Sequence, residues 1–168
     1  MQRIDISRNS RLMGQLPEFP INNTLEVLSL TSASFSGSIP ASIAYLGNPQ
    51  RFLDLSNMSL LIGSHNKSRT FPQLETLQLS SCNLIEFPEF IKSQNKLTSL
   101  DLSNNRFHDL VPNWLWKSTL GVLDLSSNAI DIPNQFPFDD VNSSFPMLSS
   151  LRLRYCNIST FPAFLKSQ

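Results

Sequence analysis

The stretch Leu97-Thr98-Ser99-Leu100-Asp101-Leu102-Ser103-Asn104-Asn105 decides the fold. In an extended chain Leu100 and Leu102 point to one face, while Ser99, Asp101 and Ser103 point to the other. The same apolar-x-apolar pair stands at Ile4/Ile6, Leu28/Leu30, Leu53/Leu55, Leu77/Leu79, Leu123/Leu125 and Leu151/Leu153. Steps between the second members are 24, 25, 24, 23, 23 and 28 residues. An upstream leucine sits three residues earlier at Leu25, Leu74, Leu97, Leu120 and Leu148. Three residues after each pair comes a position that holds Asn9, Ala33, Met58, Cys82, Asn105, Asn128 and Cys156 in turn. Seven copies in one register identify a repeat array over residues 1–168, with strand cores near 4–6, 28–30, 53–55, 77–79, 100–102, 123–125 and 151–153.

One such unit cannot bury its apolar side alone. Stacked units bury a continuous core and align their strands in a parallel sheet, so the expected fold is an α/β repeat solenoid, a right-handed coil of about seven turns. The residue after each strand turn must satisfy buried loop amides, and Asn can do so with its side-chain amide. Asn9, Asn105 and Asn128 therefore read as rungs of a ladder, with Cys82 and Cys156 as small buried substitutes that keep a weak donor. The two cysteines stand three repeats apart, roughly 14 Å at the ~4.8 Å spacing of strands, too far for a disulfide. They are expected to be free, buried thiols.

A second pattern follows each strand: Leu12-Met13-Gly14-Gln15-Leu16-Pro17, Phe35-Ser36-Gly37-Ser38-Ile39-Pro40 and Phe107-His108-Asp109-Leu110-Val111-Pro112. Gly supplies a permissive backbone and Pro closes the segment at an edge or turn. Ala41–Leu46 and Asn113–Trp116 read as single helical turns packing on the outer, convex side. The third repeat looks degraded, with Met58 at the ladder position and 62–68 lacking Gly-x-Ile-Pro, and the sixth carries an insertion over 131–144.

Composition narrows the function classes. Lys plus Arg is 13 and Asp plus Glu is 13, so the net charge is zero and only 15% of residues are charged. Such a chain lacks the basic field that nucleic acid or an anionic membrane surface requires. No apolar run approaches the roughly 18–20 residues of a membrane span. Two histidines, His65 and His108, have no nucleophile or metal-ligand partner at a recognisable spacing, so neither an enzyme nor a cofactor nor a metal is expected.

The Gly-x-Ile-Pro segment after Leu-x-x-Leu-x-Leu-x-x-Asn resembles the plant class of leucine-rich repeat. Several phrases resemble the ectodomains of plant receptor-like proteins: 71–84, reading Phe-Pro-Gln-Leu-Glu-Thr-Leu-Gln-Leu-Ser-Ser-Cys-Asn-Leu, then Glu86-Phe87-Pro88-Glu89-Phe90 and Val111-Pro112-Asn113-Trp114-Leu115-Trp116. The resemblance implies a segment on the extracellular side of the plasma membrane, glycosylated, with a peptide or protein ligand and a co-receptor kinase as partners, acting in defence or developmental signalling. Against that family the chain lacks the cysteine-paired cap, the C-terminal cap, the membrane helix and a secretion signal, so it reads as a truncated piece with no membrane contact of its own. Residues 70–94 and 144–168 align without gaps and share 13 of 25 positions, which points to a higher-order duplication.

The outward strand residues form the concave sheet, the recognition surface of such solenoids. Most are small polar filler, but Arg152, Arg154 and neighbouring Tyr155 break the pattern, and Arg and Tyr favour interface anchoring. With Asp101, Asp124 and Gln78 they are the candidate ligand-binding residues. Asn-x-Ser/Thr sequons at Asn22, Asn57, Asn66, Asn142 and Asn157 are candidate glycosylation sites. Trp114 and Trp116 read either as a carbohydrate platform or, as the family implies, as convex-side packing. Two other readings of the whole chain remain beside the receptor one: a secreted inhibitor of wall-degrading enzymes, which uses the same repeat, and a receptor-gene remnant without a function.

Overall fold

In a computed structural model the described residues are 2–20, 22–40, 42–43, 46, 52–61, 71–132, 148–163 and 165, with the side chains of residues 60 and 61 left aside. The candidate sequons Asn66 and Asn142, His65, and most of the 131–144 insertion lie outside them.

Ten strands are present among the described residues. They are β1 (Arg3–Asp5), β2 (Met13–Gly14), β3 (Val27–Ser29), β4 (Ser34–Ser38), β5 (Phe52–Asp54), β6 (Ser59–Leu61), β7 (Thr76–Gln78), β8 (Ser99–Asp101), β9 (Val122–Asp124) and β10 (Ser150–Arg152). Seven make one parallel sheet in the order β1-β3-β5-β7-β8-β9-β10. Its register sets Ile4, Leu28, Leu53, Leu77, Leu100, Leu123 and Leu151 side by side. Each coil thus meets only its sequence neighbours, as stacked repeats must.

Each strand centres on the first member of its apolar pair and ends one residue before the second. That second residue stays in the core all the same: Leu55, Leu79, Leu102 and Leu125 are fully buried, as are Leu53, Leu77, Leu100 and Leu123. At the two ends Ile4, Ile6, Leu151 and Leu153 are only half-buried, because a neighbouring coil covers them on one side alone.

The chain turns away from the sheet the same way in every coil. Arg8, Ser32, Asn57, Ser81, Asn104, Ser127 and Tyr155 occupy equivalent positions and all have φ between 53° and 62°. This left-handed corner redirects the backbone, and Asn tolerates it better than most residues.

Beyond the corner, β2, β4 and β6 form a second parallel sheet. Gly37 lies within β4 at φ 92°, a conformation closed to ordinary L side chains. The third coil, expected to be degraded, still contributes β6, which pairs Ser59–Leu61 with Ser36–Ser38. Pairing there uses backbone groups alone, so it survives without the Gly-x-Ile-Pro residues. Further along, a single bridge joins Leu110 to Asp131.

The α part of the expected α/β class is not found among the described residues. The outer side carries 3-10 turns, chiefly Glu89–Ser93 after Pro88 and Asn113–Leu115 after Pro112. A coil of 23 residues that also holds a strand, a corner and an extended flank has too little chain left for an α-helix, and the tighter turn is used in short pieces of this length. Trp116 is buried at 7% exposure, and Trp114 is half-buried with Lys92 Nζ 5.2 Å from its ring centroid. Both tryptophans therefore pack against the core, Trp114 with part of its ring exposed.

Candidate functional site

The outward face of the seven-stranded sheet carries three rows of side chains. One row runs Arg3, Val27, Phe52, Thr76, Ser99, Val122 and Ser150. The middle row runs Asp5, Ser29, Asp54, Gln78, Asp101, Asp124 and Arg152. The third follows the strand ends at Ser7, Thr31, Ser56, Ser80, Ser103, Ser126 and Arg154.

The middle-row carboxylates close the strand ends. Asp54, Asp101 and Asp124 each accept the backbone amide two residues on, from Ser56, Ser103 and Ser126, all at 2.9 Å. Asp5 does the same for Ser7 at 3.2 Å, and also accepts the Ser7 hydroxyl at 2.6 Å. The Ser7 bonds, with Arg3 3.2 Å away, hold the Asp5 carboxyl below the ordinary carboxylate range. Asp54 takes a further bond from the Thr31 hydroxyl. Asp101 and Asp124, candidates for ligand binding, thus have one oxygen committed to the fold. Gln78 sits between Asp54 and Asp101 in the row, half-buried.

Arg152 and Arg154 stand apart from this filler. Both are exposed on the seventh strand or just past it. Arg152 Nη1 lies 3.5 Å from Asp124 Oδ2, so this guanidinium is tied loosely to the neighbouring strand. The Arg154 backbone is fixed instead: its amide donates to Ser126 Oγ at 3.2 Å and its carbonyl accepts Ser127 N at 2.7 Å. Tyr155 lies outside the sheet face. It occupies the left-handed corner at φ 53° and is 89% exposed, on a shallow groove shared with Arg106, Ser127, Ala129 and Asn157. Small polar residues stand just before the ladder position in five of the other six coils, at Ser32, Asn57, Ser81, Asn104 and Ser127, and signal that corner, where Tyr155 replaces them.

The ladder is built as its residue types dictate. Asn105 Nδ2 donates to Leu102 O (2.9 Å) and Ser103 O (3.1 Å) in its own coil, and to Leu79 O (2.8 Å) in the preceding one. Its Oδ1 accepts the amides of Cys82 and Leu84, both at 3.0 Å. Asn128 repeats this pattern toward Leu102, Leu125 and Ser126 and accepts Phe107 N at 3.3 Å. Asn9 makes the own-coil bonds to Ile6 and Ser7 and is exposed, since no coil precedes it among the described residues.

Both cysteines are free. Cys82 Sγ donates to Leu55 O at 3.1 Å, and burial pushes its thiol up to about 11. Cys156 Sγ donates to Leu125 O at 3.3 Å; burial raises it too, but this thiol is only half-buried, because no coil covers its far side among the described residues. Of the sequons, Asn22, Asn57 and Asn157 are exposed, though Asn57 Nδ2 is bonded to Ser32 Oγ at 3.1 Å. His108 is an exposed flank residue bonded at 3.3 Å to Arg106 O. Among the described residues no group of three metal-ligating side chains converges, and no helix is long and apolar enough to cross a membrane.

Known proteins agree with this architecture. The leucine-rich repeat family model matches residues 73–93 and 96–118. A solved plant peptide hormone receptor, RGFR1 in complex with RGF2, superposes with a TM-score of 0.67 and 26% identity over 93% of this chain and 25% of that one. The chain is a leucine-rich repeat solenoid. Its sequence relatives are receptor-like proteins from Arabidopsis thaliana: receptor like protein 22 is 44% identical over 62% of this chain, and receptor-like protein 6 is 57% identical over 38%. The chain thus carries leucine-rich repeats similar to those of plant receptor-like proteins. It spans about a seventh or less of these relatives, 14% of the first and 9% of the second.

Proposed function

We propose that the chain is a recognition segment of a plant cell-surface receptor-like protein, binding a peptide or protein ligand across the outward face of its parallel sheet. The observation that carries this reading is the sheet face itself: a register-locked surface whose middle-row carboxylates are tied to backbone amides, with Arg152 and Arg154 projecting from one end. A rigid polar sheet with two exposed guanidinium groups suits an extended ligand that carries an anionic group. The superposing receptor was solved with a peptide hormone, which supports the same class of ligand. On this reading the segment faces the cell wall, carries glycans at exposed sequons such as Asn22 and Asn157, and works with a co-receptor kinase in defence or developmental signalling.

The test immobilises the 168-residue chain and passes a peptide fraction from plant apoplastic fluid over it, with mass spectrometry of what is retained. Peptides held by the native chain and lost from an Arg152→Ala/Arg154→Ala variant support the reading. Equal retention by both, or none by the native chain, removes it.

A further inference from the structure

We propose that the sheet face selects an extended peptide with two bulky apolar side chains four residues apart and a lysine or arginine midway between them. The proposal rests on the recognition reading above and names the class of peptide that reading would take. It starts from three side chains that break the polar pattern of the outward face. Val27, Phe52 and Val122 are half-buried on that face and stand outside the core cluster, to which their strands contribute Leu28, Leu53 and Leu123. Val27 and Phe52 are register neighbours and make one apolar spot, while Val122 makes a second. All lie on strands paired on both sides.

Lone apolar side chains on a surface mean little; the separation of these two spots is what points to a ligand. The register runs Phe52, Thr76, Ser99, Val122, so three strand spacings divide the spots. That is roughly 14 Å at ~4.8 Å per strand. An extended peptide crossing the strands advances ~3.3 Å per residue and turns alternate side chains to the sheet. Its residues i and i+4 therefore face the sheet together, about 13 Å apart, which matches the two spots. Residue i+2 faces the same way, over small Thr76 and Ser99. Backbone bonds hold this spacing fixed: Phe52 N donates to Glu26 O at 3.2 Å, Ser99 N to Glu75 O at 3.1 Å and Val122 N to Thr98 O at 3.0 Å. A surface ordered in advance loses little entropy when the peptide lands.

Charge decides what residue i+2 is. Asp101 lies two residues beyond Ser99 on the same strand, ~6.6 Å away, within reach of an extended lysine or arginine side chain. Its Oδ1 accepts Ser103 N at 2.9 Å, which leaves Oδ2 for a ligand. The other two inner carboxylates of the row offer less. Asp54 takes Ser56 N on one oxygen and the Thr31 hydroxyl on the other, and Asp124 Oδ2 faces Arg152. A cationic side chain between the apolar pair is thus drawn to Asp101.

Selection of a random peptide display library on the immobilised 168-residue chain tests the proposal. The expected result is enrichment of sequences with bulky apolar residues four apart and Lys or Arg between them. Phe52→Ser and Val122→Ser should each weaken binding of a selected peptide about 10-fold, as losing roughly half the burial of one apolar side chain implies. Asp101→Asn, which keeps an oxygen for Ser103 N, should abolish the preference for Lys or Arg and leave the apolar pair enriched. Circular dichroism melting of each variant checks its fold, and the selection on the native chain decides the pattern whatever a variant does. Selected peptides without the apolar pair overturn the proposal while the recognition reading stands, and so does binding that neither serine variant weakens. A native chain that selects no peptide removes that reading and this proposal with it.

Discussion

Asn105 accepts the backbone amide of Cys82 at 3.0 Å across the boundary between two coils, and in return its side-chain nitrogen reaches Leu79 O at 2.8 Å. One buried side chain thus satisfies groups in two coils that water cannot reach. Cys82 fills the equivalent position one coil earlier with only a thiol donor, 3.1 Å from Leu55 O.

Removing the Asn105 amide should therefore cost far more than removing a surface residue. Asn105→Ala leaves the Cys82 and Leu84 amides and the Leu79 carbonyl without this partner, at about 1–3 kcal/mol for each group that stays dry, so a loss of at least ~3 kcal/mol is expected. Asn105→Cys should lose less, because a thiol keeps the donor, as Cys82 and Cys156 show. Urea unfolding of both variants gives the comparison; equal losses would mean the cross-coil donor contributes nothing.

The middle-row aspartates separate a structural role from a recognition one. Asp101→Asn retains an oxygen for Ser103 N and should cost less than about 0.5 kcal/mol, whereas Asp101→Ala should cost about 1 kcal/mol. Peptide capture measured on the same variants shows which property the carboxylate serves. Loss of capture in Asp101→Asn with stability intact assigns the charge to the ligand; unchanged capture leaves Asp101 as a strand-end cap.

The periodicity of the leucines made the large sheet legible, because a period-2 pair repeated every 23 to 28 residues leaves one way to bury all seven pairs. The Asn ladder was equally legible from its spacing. Three features were not. Tyr155 reads as a neighbour of the sheet arginines, yet the corner reverses the chain there and turns it away from the face. The second sheet forms from backbone groups, so β6 persists where the sequence motif is lost. Asp101 and Asp124 look like free surface charges until the amides of Ser103 and Ser126 are seen to curl back onto them. In each case a local backbone conformation decides the outcome, and side-chain hydrophobicity carries no record of it.

Thiol chemistry should follow burial. Cys82 has its pKa raised to about 11 against an ordinary value of 9.0, with burial the main cause. The folded state therefore holds the Cys82 proton more tightly than the unfolded chain does. That contribution to stability is complete below about pH 9 and is lost as the pH rises through about 11. Urea midpoints measured from pH 8 upward should fall through this window, and Cys82→Ala should flatten the fall. With a disulfide reagent at neutral pH, half-buried Cys156 should react first and Cys82 only on unfolding. Equal rates for the two thiols would contradict the burial difference.

Tyr155 holds a left-handed backbone with its ring 89% exposed, where the equivalent positions are Arg8, Ser32, Asn57, Ser81, Asn104 and Ser127. A bulky residue in this conformation costs on the order of 1–2 kcal/mol, while Asn tolerates it, and so exposed a ring returns little by packing. Tyr155→Asn should accordingly stabilise the chain by about 0.5–1 kcal/mol, read as a higher urea midpoint. On the reading proposed above, this exposed aromatic, two residues past Leu153 and on the groove with Asn157, contacts the ligand. The same variant should then lose peptide capture while gaining stability. If Tyr155→Asn lowers the midpoint, the ring has packing partners that outweigh the strain. If stability rises with capture unchanged, Tyr155 has no part in recognition, and the contact surface ends at Arg154.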